Sequence, residues 1–206
     1  MAGILAWIAQ SGVVQGIIIG ATLAFLTAIL TLNLVARRLT TTDNGWSSIR
    51  RCGRLDNGVL ARAACAKALP AVNVFEEAAY WKTTRDAAGR PLTGAQSYLL
   101  HFPPGQLPPH RAFWSLTVTD TVGYMVADAA GPAGIDDRVE LAQGADGAVD
   151  IVLRHDPPPG APQNWLAVPS GRFSLMLRVY LPGSGILDGS YRVPPVVRAA
   201  ELATAV

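Results

Sequence analysis

The chain has 206 residues, 50% of them apolar and 16% charged, with a formal net charge of +2 at pH 7. That length has room for one domain plus an anchor. The only cysteines, Cys52 and Cys65, lack the paired spacing of a zinc site.

Residues 1–36 contain no Asp, Glu, Lys or Arg, and Val13–Val35 is almost wholly apolar. A helix rises 1.5 Å per residue, so about 20 such residues cross a hydrocarbon layer of about 30 Å. Gln15, Gly16, Gly20 and Asn33 interrupt the run, and Arg37-Arg38 stops it. A cleaved signal peptide has a basic start and a shorter apolar run. The sequence therefore predicts an uncleaved single-pass transmembrane anchor over residues 1–38. Gly12, Gly16 and Gly20 recur at four-residue spacing. Small residues so placed let helix backbones approach, which marks this face for packing on a membrane-protein partner or a second copy. A lipid-facing span with scattered glycines gives the same pattern.

Charge is distributed unevenly beyond the anchor. Residues 37–68 hold seven basic and two acidic residues, whereas 69–206 hold ten basic and thirteen acidic ones. The basic part adjoins the span, so its expected partner is the lipid bilayer with anionic headgroups. Basic residues interleaved with aromatics over the domain are missing, which argues against nucleic acid. Basic residues flanking a span tend to stay cytoplasmic, and on that rule the domain faces the cytoplasm. Cys52 and Cys65 pair in an oxidising compartment and stay reduced in a reducing one, thiols being the default.

Residues 39–55 read as a polar, basic linker, and 56–206 as one β-rich domain. Asp56 or Asn57 is placed to cap an Ala-rich helix over Leu60–Leu69 that Pro70 ends and that lies on the sheet. Strands are predicted at Phe75–Lys82, Tyr98–Phe102 and Ala112–Thr119. Further alternation runs through Val149–Arg154 and Phe173–Tyr180. Apolar positions alternate with polar ones, as in an antiparallel sheet with one solvated face. Dense Pro and Gly breaks, such as Pro103-Pro104-Gly105 and Pro182-Gly183, favour a sandwich or jelly roll.

Several short runs resemble the DUF1214 family: Gly89-Arg90-Pro91-Leu92, Ala112-Phe113-Trp114-Ser115-Leu116-Thr117-Val118, Asn164-Trp165-Leu166, Gly171-Arg172-Phe173-Ser174-Leu175, and Leu177-Arg178-Val179-Tyr180-Leu181-Pro182. Asp188-Gly189 and Pro194-Pro195-Val196-Val197-Arg198 follow in the same order. The resemblance covers roughly residues 72–198. It implies a jelly-roll-like antiparallel β-sandwich with a short helix and supplies no chemistry. It further implies a bacterial cytoplasmic-membrane protein whose domain is exported, against the charge rule. The chain departs from the family at Thr119, where an aromatic is usual, and at Asp128-Ala129-Ala130-Gly131, where relatives carry an Asn–Arg pattern.

No catalytic residues, metal site or cofactor are assigned. His101, His110 and His155 are expected as surface or turn residues, because His155 and Asp156 point apart on a strand. Glu76-Glu77 faces apart for the same reason, and no nucleophile elbow, Walker loop or dinucleotide fingerprint occurs. The candidate ligand-binding residues are Arg178, Tyr180, Arg111, Trp165 and His155, since aromatics with arginine anchor binding surfaces. Trp114 shares a face with Leu116 and Val118 and is expected in the core. The functional expectation is a membrane-anchored accessory or binding module, such as a small subunit of a larger membrane complex. The alternative is a protein acting on carbohydrate or another small polar ligand.

Overall fold

The structure is a computed structural model that describes residues 11–69, 72–126, 131–158, 160 and 164–202. Two compact units result: a helical one, 1–39 with 55–71, and a β-rich one, 40–54 with 72–206.

In the helical unit, α1 (Gly12–Leu39) runs 28 residues with no side chain buried. At 1.5 Å per residue that is about 42 Å, long enough to cross a bilayer core. Its apolar composition permits the same. Arg37 and Arg38 in its last turn face the negative end of the helix dipole. The second helix, α2 (Val59–Ala68), starts one residue earlier than expected. Its N-cap is Gly58, with no side-chain cap bond, so neither Asp56 nor Asn57 caps it. It belongs with α1 and not with the sheet: Lys67 donates to the Asn33 side chain, while Leu55, Val59 and Leu60 are exposed. Pro70, the expected helix stop, lies outside the described residues.

The β-rich unit begins at Thr40, inside the expected linker. Strands β1 (Thr41–Asp43) and β2 (Trp46–Ser48) form a hairpin around Asn44-Gly45, both at positive φ. Trp46 is buried and its indole N–H donates to the Pro194 carbonyl at 2.8 Å. A buried, bonded tryptophan makes this segment part of the domain.

The remaining strands are β3 (Ala78–Thr83), β4 (Tyr98–Phe102), β5 (His110–Thr119), β6 (Gly134–Asp136), β7 (Val149–Arg154), β8 (Trp165–Ala167), β9 (Ser174–Pro182) and β10 (Val196–Arg198). One sheet has the order β1-β2-β3-β9-β5-β6 and the other β10-β4-β7-β8. A short helix α3 (Ser184–Asp188) follows β9, and α4 (Ala199–Leu202) follows β10. The two sheets form a sandwich-like body in a mixed α/β chain. Pairing is antiparallel except β7 with β8, which is parallel and departs from the all-antiparallel expectation.

The core fills from both sheets. Trp114, Leu116, Val118, Leu175, Leu177 and Val179 of one meet Leu100, Phe102, Ile151 and Leu153 of the other, all buried. Phe102 and Trp114 meet across the sheets with ring centroids 6.2 Å apart. Alternation thus delivers the buried face as expected, with β3 shorter than predicted because Phe75–Glu77 forms a turn.

One carboxylate ties the β3–β4 turn to β10. Asp86, whose side chain is 1% exposed, accepts from Arg90 Nε at 2.9 Å and Arg198 Nε at 2.8 Å. It also accepts the backbone N–H groups of Ala88 and Arg90. Burial alone would raise its pKa, but the Arg90 and Arg198 bonds outweigh this and hold the carboxyl below the usual range. Buried charge requires such partners.

Two outcomes follow for the detergent-solubilised chain. Asp86→Ala should lower unfolding free energy by about 3 kcal/mol at neutral pH in urea titrations. The contribution is present above the ordinary carboxylate pKa of about 4 and fades as pH falls through the lower folded value. Wild type and variant should therefore converge in strong acid. Gly94→Ala should also destabilise strongly, because a Cβ there would stand 1.9 Å from the Pro169 carbonyl oxygen. A melting temperature within a degree or two of wild type would contradict that packing.

Candidate functional site

The outward face of the six-stranded sheet is built by the alternate residues of β3, β9 and β5. Cross-strand register arranges them in rungs. Tyr180 lies beside Ala78 and Phe113; Arg178 lies between Tyr80 and Ser115; Met176 lies between Lys82 and Thr117. The strand alternation that buries Leu175, Leu177 and Val179 sends these side chains the other way.

The rungs are held by specific contacts. Phe113 stacks on Tyr180 with centroids 4.4 Å apart, and the Arg138 guanidinium covers Phe113 at 5.5 Å. Arg138 pairs in turn with Asp136, which lowers the Asp136 pKa. Arg178 Nη1 donates to the Thr117 hydroxyl at 3.2 Å. Burial first, then the neighbouring Tyr180, raise the Tyr80 pKa, opposed by Asn73 and Arg178. Lys82 Nζ reaches the carbonyls of Thr121 and Val122 at 3.3 and 3.4 Å. Burial lowers the Lys82 pKa, opposed by Asp120.

Residues 121–124 form a lip at the Lys82 end. The Asp120 carboxylate accepts the N–H groups of Val122, Gly123 and Tyr124 at 2.9, 2.6 and 2.9 Å. The Gly123 and Tyr124 bonds lead in depressing its pKa. The lip leaves Val122, Tyr124 and Met125 exposed. Behind it, Ser174 donates to the Asp120 carbonyl at 2.8 Å, so the buried Thr119 hydroxyl donates to Ser174. A small polar residue at position 119 thus fixes the root of the lip. Residues 128–130 of the departing loop lie outside the described residues.

Of the residues expected to bind ligand, only Arg178 and Tyr180 come together. Arg111 is exposed in the bulge between His110 and Phe113. Trp165 is buried in β8 of the other sheet, its N–H donating to the Arg154 carbonyl at 3.1 Å. His155 follows β7 and is bonded to the Val168 carbonyl at 2.9 Å. Tyr80, Lys82, Met176 and Phe113 escaped the sequence reading, because only register brings them beside Arg178. His101 pairs with Asp150 at 2.6 Å, and His110 with Asp137 at 2.7 Å. No cluster of three metal-ligating side chains occurs among the described residues. Asp137 and Trp114 also line a cavity of about 550 Å³ with Leu107, Glu140 and Leu141. Gly12, Gly16 and Gly20 have open space where a Cβ would stand.

The cysteines correct the thiol expectation. Cys52 and Cys65 are both buried and both disulfide-bonded.

Asp120→Ala should accelerate amide exchange at Val122–Tyr124 while leaving β9 protected, read by hydrogen-exchange mass spectrometry. Unchanged exchange would show that the carboxylate does not order the lip.

Comparison places this face in a family. Residues 77–184 match the DUF1214 family of proteins of unknown function. The fold is similar to the VPA0106 protein from Vibrio parahaemolyticus, with a TM-score of 0.66 and 22% identity over 83% of this chain and 42% of that one. An uncharacterised protein from Burkholderia cenocepacia gives a TM-score of 0.42 and 14% identity, over 85% of this chain and 49% of that one. The chain thus spans less than half the length of either. No curated protein matches it. The chain belongs to the DUF1214 family, and the six-stranded sheet with its Arg178 face lies largely inside the matched region.

Proposed function

We propose that this protein is a single-pass, membrane-anchored binding module in which α1 holds the β-rich domain to a bilayer and the Arg178 face engages a partner. The observation that carries this reading is the half-buried Arg178, flanked by Tyr80 and Tyr180 on a face that the sandwich core does not use. Arginine and tyrosine combine large contact area with polar handles, as binding surfaces require. The exposed Leu55, Val59 and Leu60, in the same unit as α1, fit a bilayer as that unit's surroundings. The open Gly12–Gly16–Gly20 face fits a helix partner or a second copy.

The disulfide-bonded cysteines support an extracytoplasmic domain. The opposing charge rule loses weight, because two of its arginines are spent inside the domain. Arg50 covers the Phe75 ring at 4.5 Å and donates to the Ile186 carbonyl, and Arg54 pairs with Glu76 at 3.3 Å. A second reading, a small polar ligand taken into the sandwich, is favoured by the cavity beside Trp114 and Asp137.

Gentle detergent extraction of the native protein, with mass spectrometry of what accompanies it, tests the lead. A defined membrane-protein partner is expected, and Gly16→Leu should reduce its yield if the glycine face is the contact. A solitary monomer would contradict the module reading; an unchanged yield in Gly16→Leu would remove the helix contact alone. Acid-quenched alkylation of whole cells should find both cysteines protected. Full alkylation without reductant would put the domain on the reducing side.

A further inference from the structure

Arg178 raises a question of charge. It is half-buried on the sheet face, and its one hydrogen bond is to a neutral hydroxyl, that of Thr117. Among the described residues no carboxylate lies within ion-pairing distance of it. Cations removed from water normally carry a counter-charge. On the neighbouring strand Lys82 lies diagonally across, the register pairing it with Met176. Diagonal neighbours in an antiparallel pair are about 7–8 Å apart, within reach of two long side chains converging on one group.

Lys82 also lines a groove of about 450 Å³ with Thr42, Ser47, Arg85 and Asp86. The nearby carboxylates have partners of their own, and Asp120 offsets part of the Lys82 charge but none at Arg178. Asp86 is held by Arg90 and Arg198, Asp43 by Arg192 at 2.9 Å, and Asp120 by three backbone N–H groups. Along β9 the guanidinium is flanked by Met176, directly beside Lys82, and by Tyr180, which stacks on Phe113.

We infer that this basin binds a small carboxylate with an apolar body, the carboxylate seated between Arg178 and Lys82 and the body lying over Met176. The inference rests on the reading of this face as a binding surface and names its ligand class. A guanidinium takes a carboxylate through two parallel N–H bonds, and the lysine adds a point charge. Methionine, being flexible, accommodates varied apolar shapes.

Met176 supplies the probe, because the chain has three methionines, of which Met1 and Met125 lie elsewhere in the sequence. The full chain, labelled at methionine methyl carbons and held in nanodiscs, is titrated with sodium benzoate. A saturable shift of the Met176 signal is expected, with the Met1 signal unmoved. Arg178→Gln should weaken the response at least about tenfold, and Lys82→Gln several-fold. Arg178→Lys, which keeps the charge and loses the fork, should fall between. If Arg178→Gln does not fold, Lys82→Gln and Arg178→Lys carry the comparison. No Met176 response up to roughly 50 mM benzoate would overturn the inference, that being weak even for a fragment. An equal response to benzyl alcohol would overturn the role of charge. Tighter binding of inorganic phosphate would replace carboxylate by phosphate. Loss of the co-purifying partner in Arg178→Gln, without a benzoate response, would leave the binding-module reading standing and remove only this ligand class.

Discussion

The register of β9 is the constraint on which the rest of this domain depends. The strand is paired on both sides, with β3 and with β5, and it lies in the middle of the six-stranded sheet. Its alternate residues Leu175, Leu177 and Val179 are fully buried, and Met176, Arg178 and Tyr180 face outward. Side-chain direction has a period of two, so a slip of one residue would bury the guanidinium and expose the leucines. Burial of each leucine is worth roughly 1.5–3 kcal/mol, which makes the correct register the only economical one. The candidate site is thus the reverse side of the hydrophobic core. One pattern in the sequence makes both.

The ends of the sheet are secured by polar bonds with buried members. Asp86 joins the turn after β3 to the C-terminal strand, and Thr119 and Ser174 join β5 to β9 at the root of the Asp120 lip. Asn164 locks the segment after β6 by accepting from the Ala142 N–H at 2.9 Å and donating to its carbonyl at 2.7 Å. These bonds fix loops that apolar packing alone would leave free, because a buried polar group without its partner carries a desolvation penalty. They also explain why short blocks such as Gly89-Arg90-Pro91-Leu92 and Asn164-Trp165-Leu166 stand out in the sequence. The first is a turn before β4, and Asn164 is the residue that leads into β8.

The sequence made the sandwich legible because alternation in β5, β7 and β9 is nearly unbroken. It made Arg178 and Tyr180 legible as outward residues for the same reason. What it did not convey is register across strands. Tyr80 and Lys82 sit in a strand of mixed burial, and nothing local says that they stand beside Arg178. Trp165 and His155 look like site residues by type, yet they belong to the other sheet, where backbone carbonyls satisfy them. Alternation is also blind to direction, so the parallel β7–β8 pair was not visible. The hairpin at Thr41–Ser48 did carry a signal: Asn44-Gly45 suits the positive φ of a two-residue turn. The polar Thr and Ser around it, typical of an edge, concealed it in an apparent linker.

The two units divide the work of the chain by composition. The helical unit has exposed apolar residues and small-residue spacing, and the β-rich unit has an outward face of arginine, lysine and tyrosine over a closed core. Hydroxyl-radical footprinting compares that face in native membranes and in purified protein. The account predicts lower oxidation of Tyr80, Met176 and Tyr180 in native membranes, where a partner or ligand covers them. Equal oxidation of these three residues in both states would contradict the claim that the face is a binding surface.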